Sequence, residues 1–376
     1  MLWTLPAAVR SLLVSSARVH ARCSSAAAVT HAPLRILFCG SDEFSVKSLL
    51  ALDKARQDTP GLIDEIHVAH RPAKATGRGL KVLREVPLSK TAAALSLPTH
   101  VFDTFTGFTP PFSYNLVIAV SFGLLVPPRI LNLAHYGGLN VHPSLLPDLR
   151  GSAPIQHALL KRRPYTGVSV QTLHPARFDE GVVLAQTAAP GIEIGPRETT
   201  AELTERLADA GAAMLVRVLR ERRFETCQAP ATQGRDMHEQ PSSLAAKYNE
   251  PTAWYTSSHG PRDYAPKITK QDRCIDFATM DMQHILAVQR ALGDKSCLLP
   301  NGERLLVHDV VDTGVVCKHL PPGLALDDTV GGKLMFRAAC GSVGIVKSST
   351  YPGGARGKGN SKVAKILRDA AIARGR

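Results

Sequence analysis

The chain has 376 residues, a formal net charge of +13 at pH 7 and an isoelectric point near 9.6. Its length allows two domains, and its apolar content of 44% is ordinary for a globular protein. The excess of basic residues predicts a polyanionic partner, either a nucleic acid or an anionic membrane surface. No apolar run approaches the roughly 20 residues that span a bilayer, so we expect no membrane insertion.

Residues 1–30 are predicted to be a targeting leader. Arg10, Arg18 and Arg22 supply its charges, serines are interspersed, and the first acidic residue of the whole chain is Asp42. An arginine- and serine-rich, acid-free composition is typical of a mitochondrial transit peptide. A secretory signal is the competing interpretation, but it would have a cleaner apolar core. We therefore expect the mature protein in the mitochondrial matrix.

The first part of the chain alternates strand and helix patterns. Leu34–Cys39 and Ile63–Ala69 are short apolar runs typical of buried strands, and residues 44–55 between them have a helical pattern. Asn115–Val120 is almost entirely apolar, which is typical of a central strand covered on both faces. These patterns predict an α/β fold with a doubly wound, mostly parallel sheet. The G-x-G-x-x-G loop of dinucleotide-binding folds is absent.

The second part is predicted to contain a helix, a linker and a smaller domain. Residues 199–223 form the clearest helix, with a capping box of Thr199 and Glu202. Residues 227–260 are polar and proline-containing, which predicts a linker. Beyond them, the pattern predicts a helix and short strands between glycine-rich turns, and therefore a C-terminal β-barrel over residues 261–350. The expected elements are a helix at 281–292 and strands at 296–299, 304–310, 333–337 and 343–346.

Two features bear on cofactors and the C-terminus. The seven cysteines are scattered and form no C-x-x-C pair, so neither a zinc site nor a disulfide framework is indicated. A reducing compartment and no bound metal are the simplest expectation. Residues 351–376 form a basic tail, of which 363–373 has a helical pattern.

The stretch Gly138–Gln156, GLNVHPSLLPDLRGSAPIQ, has the densest functional signal. Asn140 and His142 are spaced i, i+2, so at a strand end both side chains point the same way. An amide can hold a developing oxyanion, and an imidazole can donate or shuttle a proton. A hydrogen-bonded strand end is the plainer interpretation of this pair. Ser152 is expected to cap the following helix, with Pro154 in its first turn.

The pattern Asn-x-His-x-Ser-Leu-Leu-Pro-x-x-Arg-Gly-x-x-Pro, from Asn140 to Pro154, resembles the signature of the folate-dependent formyltransferases. The resemblance runs with gaps from about residue 34 to the C-terminus and is strongest over 115–186. It implies a Rossmann-like formyltransferase domain at 34–226. It also implies 10-formyltetrahydrofolate as co-substrate, initiator methionyl-tRNA as acceptor and a monomeric enzyme.

The resemblance implies specific site residues. In the family, the aspartate of an Asp-x-Gly turn completes a triad with the asparagine and histidine of the signature. Asp179 matches this aspartate, and Glu180 is its nearest rival. The family also lines its folate pocket from two loops. For each residue of the first of them, which begins at Ser121, a loop packed on the core is an equal alternative. The matching residues are Ser121, Phe122, Gly123, Leu124, Ser144, Leu145, Leu146 and Pro147.

Two basic segments are candidates for contact with tRNA. Residues 70–81, HRPAKATGRGLK, resemble a family loop that contacts the acceptor end, and Arg78 matches its arginine. Residues are inserted around 74–76, and a solvated surface loop is the alternative. The basic tail is expected to bind phosphates farther away. The candidate tRNA-binding residues are Arg78, Lys81, Lys358, Lys362, Lys365 and Arg368.

Two other functions compete with this interpretation. A folate-dependent transformylase acting on a small amine would share the catalytic core but would need neither a second domain nor a basic tail. A non-catalytic RNA-binding protein on the same fold would have no use for the set Asn140, His142 and Asp179. An assay of formyl transfer to methionyl-tRNA beside a small amine separates the three.

Overall fold

The computed structural model describes residues 31–76, 79, 82–227, 253–256, 258–327 and 332–374. Its contacts group Pro33–Arg376 into one compact unit. The predicted leader and most of the predicted linker lie outside the described residues. The boundaries predicted for the leader, linker, barrel and tail therefore stay predictions.

The first part of the chain builds the larger sheet and its helices. In order, it contains β1 (Leu34–Gly40), α1 (Glu43–Asp58), β2 (Ile63–His70), β3 (Lys74–Thr76), β4 (Val82–Arg84), α2 (Pro87–Ala94), β5 (Thr99–Val101), β6 (Leu116–Val120), α3 (Pro128–Leu131) and β7 (Gly138–His142). It continues with α4 (Pro154–Leu160), β8 (Tyr165–Thr166), β9 (Ser169–Thr172), β10 (Val183–Gln186), β11 (Ile192–Glu193) and α5 (Thr200–Arg220), followed by a 3-10 helix over Arg223–Cys227.

Seven strands form one sheet in the order β10-β9-β7-β6-β1-β2-β5. The five strands from β7 to β5 are parallel, and β9 is antiparallel to β7. The carboxyl ends of β1, β6 and β7 therefore meet at one edge, which is where open α/β sheets bind ligands. The predicted α/β fold with a mostly parallel sheet is confirmed.

The two faces of this sheet are covered differently. Helices α1 and α5 pack on one face, where Phe44 and Leu207 are buried in the main core. A Cβ on Gly211 of α5 would lie 2.8 Å from Val141 of β7, so glycine allows this close approach. The other face is covered by an aromatic segment and α3, with Phe105 and Phe122 buried against the strands.

The second part of the chain forms a separate antiparallel sheet with its own core. After a 3-10 turn (Gln271–Arg273), it contains α6 (Met282–Leu292), β12 (Lys295–Leu298), β13 (Arg304–Val316), β14 (Gly323–Asp327), β15 (Lys333–Arg337), β16 (Ser342–Thr350) and α7 (Gly359–Arg374). The strand order is β12-β13-β16-β15-β14, and the sheet curls into a half-barrel. Phe336 stacks on Phe277 in this core, which α7 covers with Val363.

The structure changes several predicted boundaries. The helix α4 begins at Pro154 with Ala153 at its N-cap and no side-chain cap, so Ser152 as N-cap is wrong. The N–H of Ala153 donates to the carbonyl of Ala265, which holds the chain outside helical geometry up to that residue. The capping box of Thr199 and Glu202 is present, but α5 ends at Arg220 rather than 223. The sequence pattern missed β14, a short half-buried strand.

Candidate active site

The pair Asn140 and His142 lies at the carboxyl end of β7, between β6 and β9. Asn140 is paired with Ala119 of β6 and Gln171 of β9, so neighbouring strands fix its backbone on both sides. Both side chains reach the same carboxylate, that of Asp179. The i, i+2 spacing therefore brings the two side chains together, as the sequence predicts.

The carboxylate of Asp179 is the centre of the site. Its Oδ1 accepts from Nδ2 of Asn140 and from Nε2 of Gln171, each at 3.3 Å, and lies 3.3 Å from Nδ1 of His142. Its Oδ2 accepts from the backbone N–H of Gly151 at 3.0 Å. Asp179 has a φ of +55°, a conformation that an aspartate tolerates better than most residues. Several donors thus hold one buried carboxylate in one position.

Both ring nitrogens of His142 face oxygen acceptors. Nδ1 faces Asp179, and Nε2 lies 3.0 Å from the backbone carbonyl of Leu149. A carbonyl and an ionised carboxylate can only accept, so each nitrogen satisfies its partner only when it carries a proton. The site is therefore built to hold His142 as an imidazolium.

The pKa directions agree with this geometry. Burial alone would lower the pKa of His142, but the charge of Asp179, its hydrogen bond and the Leu149 carbonyl together raise that pKa above its usual value. Burial likewise opposes ionisation of Asp179, yet the imidazolium and the Gly151 N–H hold the pKa of this carboxyl below its usual value. The pair is thus stabilised in its charged form.

The side-chain amide of Asn140 has two N–H donors. One N–H of its amide is used by Asp179, and within the described part of the chain no acceptor takes the other. His142 has both N–H groups occupied by protein oxygens. Asn140 is therefore the side chain with a hydrogen-bond donor to offer to a substrate oxygen.

The loop Ser144–Pro147, implied in folate binding, is packed into the protein. Ser144, Leu145 and Leu146 are buried, and the Ser144 hydroxyl donates to the carbonyl of Asp148 at 2.6 Å. Ser169 donates its hydroxyl to the Ser144 carbonyl at 2.8 Å, and the Leu146–Pro147 peptide is cis. The loop connects the two candidate catalytic residues of β7 to Leu149 and Gly151.

The segment Ser121–Leu124, also implied in folate binding, follows β6 at the same edge of the sheet. Ser121 is exposed, whereas Phe122 is buried in the aromatic core. Gly123 is exposed. Leu124 borders a cleft of about 260 Å³ that Phe105 and Arg129 also line. A small cleft with a mixed polar and apolar lining thus lies beside the carboxyl end of β6.

The candidate tRNA-binding residues divide into two groups. Arg78 and Lys81 lie outside the described residues, and their loop is flanked by the ribbon of β3 and β4. Lys358, Lys362, Lys365 and Arg368 are exposed, and three of them lie on α7. The spacing of three residues between Lys362, Lys365 and Arg368 places them near one side of the helix, and Lys358 directly precedes it. We call these four residues the basic face of α7.

Several groups that the structure places at the site have no role in the sequence-based prediction. These are the Gln171 amide, the Leu149 carbonyl, the Gly151 N–H and the Arg150 side chain. Leu149, Arg150 and Gly151 belong to the quoted signature, but a carbonyl or a backbone N–H leaves no trace in residue type. The positive charge of Arg150 is close enough to act on His142 and Asp179.

The described residues include neither a metal-binding cluster nor a membrane-spanning helix. Among them, no group of three or more His, Cys, Asp or Glu side chains is arranged to hold a metal ion. In the same part of the chain, no helix has the length and apolar content needed to cross a bilayer.

Comparison with solved structures shows the fold. A sugar 3N-formyltransferase, WlaRD, crystallised with dTDP and 5-N-formyl-THF, matches with a TM-score of 0.52 and 13% identity over 86% of this chain and 100% of that one. An N-formyltransferase from Helicobacter canadensis matches with a TM-score of 0.52 and 12% identity over 83% and 98% of the two chains.

Comparison of sequences shows the family. The formyl transferase family model matches residues 34–219. The mitochondrial methionyl-tRNA formyltransferase of Saccharomyces cerevisiae is 35% identical over 69% of this chain and 68% of its own length. A putative methionyl-tRNA formyltransferase of Schizosaccharomyces pombe is 31% identical over 74% and 78%, and the human mitochondrial enzyme 32% identical over 70% and 58%. The chain therefore belongs to the formyl transferase family and, within it, to the methionyl-tRNA formyltransferases.

Proposed function

We propose that this enzyme transfers the formyl group of 10-formyltetrahydrofolate to the α-amino group of initiator methionyl-tRNA. The observation that carries the proposal is the contact of one carboxylate, Asp179, with both Asn140 and His142 at the carboxyl edge of the sheet. The names of the sequence relatives support the acceptor. The 5-N-formyl-THF in one structural relative is consistent with a folate donor, though likeness at that identity concerns the fold alone.

Asn140 and His142 are assigned to stabilising the oxyanion that forms on the formyl oxygen. The amine nitrogen attacks the formyl carbon, and the carbonyl electron pair moves onto oxygen. Asn140 donates its unused N–H to that oxygen, and the His142 imidazolium stabilises the negative charge electrostatically. A single donor of this kind contributes about 3–4 kcal/mol to lowering a barrier. His142 can donate directly only if the Leu149 carbonyl releases Nε2.

Asp179 is assigned to proton transfer between the attacking amine and the leaving nitrogen. The attacking amine must lose a proton, and the folate nitrogen must gain one when its bond to the formyl carbon breaks. The carboxylate lies beside both other catalytic residues and can accept that proton, directly or through a water, and return it to the leaving nitrogen. Its second task is to keep His142 charged.

The folate donor is assigned to the β6 side of this centre. Ser121, Phe122, Gly123 and Leu124 follow β6, and the cleft beside Leu124 has both apolar and polar lining residues, Phe105 and Arg129 among them. The loop Ser144–Pro147 supports the floor of the site, because its serine and leucine side chains are buried. Nothing in this transfer requires a metal.

The tRNA is assigned to two basic regions. The basic face of α7 is exposed and would contact phosphates, which position a nucleic acid without recognising its sequence. Arg78 and Lys81 would act close to the reacting amine at the acceptor end. This division follows from the size of the acceptor, whose amine lies at one end of a long polyanion.

We place the enzyme in the mitochondrial matrix. The relatives from Saccharomyces cerevisiae and Homo sapiens are named as mitochondrial, and residues 1–30 lack acids. A fusion of residues 1–30 to a fluorescent reporter is expected to enter mitochondria, whereas the same fusion with its three arginines replaced by glutamine is not. A wild-type fusion that stays in the cytosol would contradict the assignment.

The function is tested with purified protein, 10-formyltetrahydrofolate and methionyl-tRNA. We expect formylated methionyl-tRNA from the wild-type protein and none above background from a His142→Ala, Asp179→Ala double variant. Free methionine and a purine-pathway ribonucleotide amine serve as small-amine controls. Transfer to a small amine but not to the tRNA would indicate the small-molecule transformylase. Tight tRNA binding with no transfer would indicate an RNA-binding protein.

A further inference from the structure

The side chain of Arg150 has no assigned task although it lies at the active site. It is half-buried, and its Nε is inaccessible to solvent with no hydrogen-bond acceptor in the described part of the chain. No carboxylate among those residues comes within ion-pair distance of its guanidinium. A partly buried guanidinium without an anion is costly, because arginine stays charged at any ordinary pH. Such a group is suited to an anionic ligand.

The ring of Tyr264 is exposed beside this arginine. Its side chain is 65% exposed, yet its backbone is held firmly. The N–H of Leu149 donates to the carbonyl of Asp263, and the N–H of Ala265 donates to that of Arg150, both at 2.7 Å. Asp263 is tied into ion pairs and Ala265 is fully buried, so only the ring between them faces solvent.

Backbone pairing places the ring and the guanidinium together. Arg150 and Tyr264 form a parallel bridge, and residues opposite each other in paired strands project to the same face. The ring also covers Gly151, since a Cβ on that glycine would lie 3.1 Å from Cε2 of Tyr264. The N–H of Gly151 donates to Asp179. Gly151 therefore lies between the ring of Tyr264 and the carboxylate of Asp179.

We propose that Arg150 and Tyr264 form a binding site for one unpaired nucleotide, in which the guanidinium binds the phosphate and the ring stacks on the base. This proposal rests on the proposed function. The nucleotide is the 3′-terminal one of the tRNA, whose ribose carries the aminoacyl ester. Stacking would fix that nucleotide next to Asp179 and so deliver the amine to the carboxylate that takes its proton.

The position of the site favours the acceptor over the folate donor. Asp179 follows β9 on one side of β7, and Tyr264 covers Gly151, whose N–H donates to Asp179. Ser121 and Leu124, by contrast, follow β6 on the other side of β7. Two substrates that react across Asn140 and His142 must approach from different sides. Arginine binds phosphate through a bidentate fork, and exposed aromatic rings stack on bases of any sequence.

Stacking can be measured directly with tRNA carrying the fluorescent base 2-aminopurine at its 3′-terminal position. Binding to the wild-type enzyme is expected to quench the fluorescence, because the base stacks on the ring. Tyr264→Ala should abolish the quench at saturating protein, and Tyr264→Phe should retain it, since phenylalanine keeps the ring. Tyr165→Ala, which removes an exposed ring from the β8–β11 ribbon, is the matched control and should quench normally.

Kinetics with methionyl-tRNA test the phosphate contact. Arg150→Gln and Tyr264→Ala are each expected to raise the KM for methionyl-tRNA about tenfold or more, the order of magnitude of one base stack or one charge-assisted contact. The effect on KM should exceed that on kcat. Arg197→Gln, at an exposed arginine in the turn before α5, is the control and should change KM less than twofold.

The outcomes separate this inference from the proposed function. A Tyr264→Ala variant that still quenches overturns the stacking site. A variant of Arg150 that raises the KM for the formyl donor, and not that for tRNA, overturns the assignment to the acceptor. If wild-type protein quenches but transfers no formyl group, the nucleotide site stands and the proposed function fails. If it transfers a formyl group without quenching, the proposed function stands and the nucleotide site fails.

Discussion

At the proposed catalytic centre the polar side chains are buried or half-buried and bonded to one another, whereas the basic face of α7 is exposed. The Asp179 carboxylate accepts from Asn140, Gln171 and the Gly151 backbone and faces His142, with contacts between 3.0 and 3.3 Å. On α7, by contrast, Lys362 lies 5.7 Å from the ring of Tyr351. Hydrogen bonds fix the geometry around Asp179, whereas the basic face of α7 presents positive charge to the solvent.

This contrast fits the task that is proposed for each region. Formyl transfer depends on the distance between reacting atoms, and a misplacement of about 1 Å can lower a rate by about a hundredfold. Phosphate binding depends on the release of counterions and tolerates many arrangements of the same charges. Substitutions should therefore affect turnover steeply in the first region and salt dependence in the second.

The largest expected effect is at the catalytic residues. Asn140→Ala, His142→Ala and Asp179→Ala are each expected to lower kcat by about a hundredfold, the order of magnitude of one lost oxyanion donor. Because the three side chains act through shared contacts, their effects should not be additive. The measurement is single-turnover formyl transfer to methionyl-tRNA.

Ser152→Ala is the control for these variants. Ser152 lies in the same loop, but its side chain does not cap α4, so the substitution should leave turnover and stability nearly unchanged. Circular dichroism melting would verify that each catalytic variant is folded. A folded His142→Ala variant with turnover near that of wild type would refute the assigned mechanism.

Gly151→Ala is expected to have a smaller effect and to lower kcat about tenfold. Gly151 has a φ of +121°, and a Cβ there would lie 2.4 Å from the carbonyl oxygen of Ala265. The backbone must shift, and the N–H bond to Asp179 shifts with it. Gly61→Ala is the matched control, because Gly61 also has a positive φ but faces open space. Gly61→Ala should lower the free energy of unfolding by about 1 kcal/mol, because alanine is strained at this backbone conformation, and should leave kcat unchanged.

The sequence predicts the juxtaposition of Asn140 and His142 better than their surroundings for a physical reason. Asn140 and His142 are side chains with a fixed period along a strand, so their geometry can be inferred from spacing. The Leu149 carbonyl and the Gly151 N–H contribute through the backbone, which every residue has. Asp179 was identified only through resemblance to a family, since a lone aspartate in a turn is usually structural.

The same reasoning accounts for the fold. The buried strands β1, β2 and β6 are apolar runs and were predicted within one or two residues. The strand β14 begins at a glycine and is only half-buried, so its sequence lacks a strand pattern. Ser152 has the residue type of an N-cap, but a tertiary hydrogen bond from Ala153 to Ala265 sets where α4 begins.

The pH dependence tests whether Asp179 holds His142 in its charged form. The raised pKa of His142 means that the folded protein binds this proton more tightly than the unfolded chain. The stabilisation is therefore complete below the ordinary value of 6.5 and is lost as pH rises through the folded-state pKa. The lowered pKa of Asp179 adds stability that is lost as the pH falls through it. Chemical denaturation across pH should show both losses.

In the pH profile of kcat, the descending limb on the alkaline side is assigned to His142. Asp179→Asn removes the charge that raises the pKa, and burial then lowers it. The alkaline limb of the residual activity should therefore move to lower pH. A limb that stays in place would assign that titration to another group.

The smallest effect on turnover is expected from the basic face of α7. Replacing Lys358, Lys362, Lys365 and Arg368 together by glutamine should weaken tRNA binding while kcat changes little. Each neutralised phosphate contributes nearly one unit of log–log salt slope on duplex DNA, so the slope should flatten by up to about four units if all four residues contact phosphates. The measurement is the dissociation constant for tRNA over a series of salt concentrations.

A control variant separates local contacts from net charge. Glutamine at four exposed basic residues of other surfaces changes the net charge equally, and these are Lys54, Lys90, Arg197 and Arg220. If overall charge attracts the tRNA, both quadruple variants should flatten the slope alike. If the basic face of α7 contacts phosphates, only its variant should do so, because released counterions are counted at the contacts. An unchanged slope in the α7 variant would leave these four charges outside the tRNA interface.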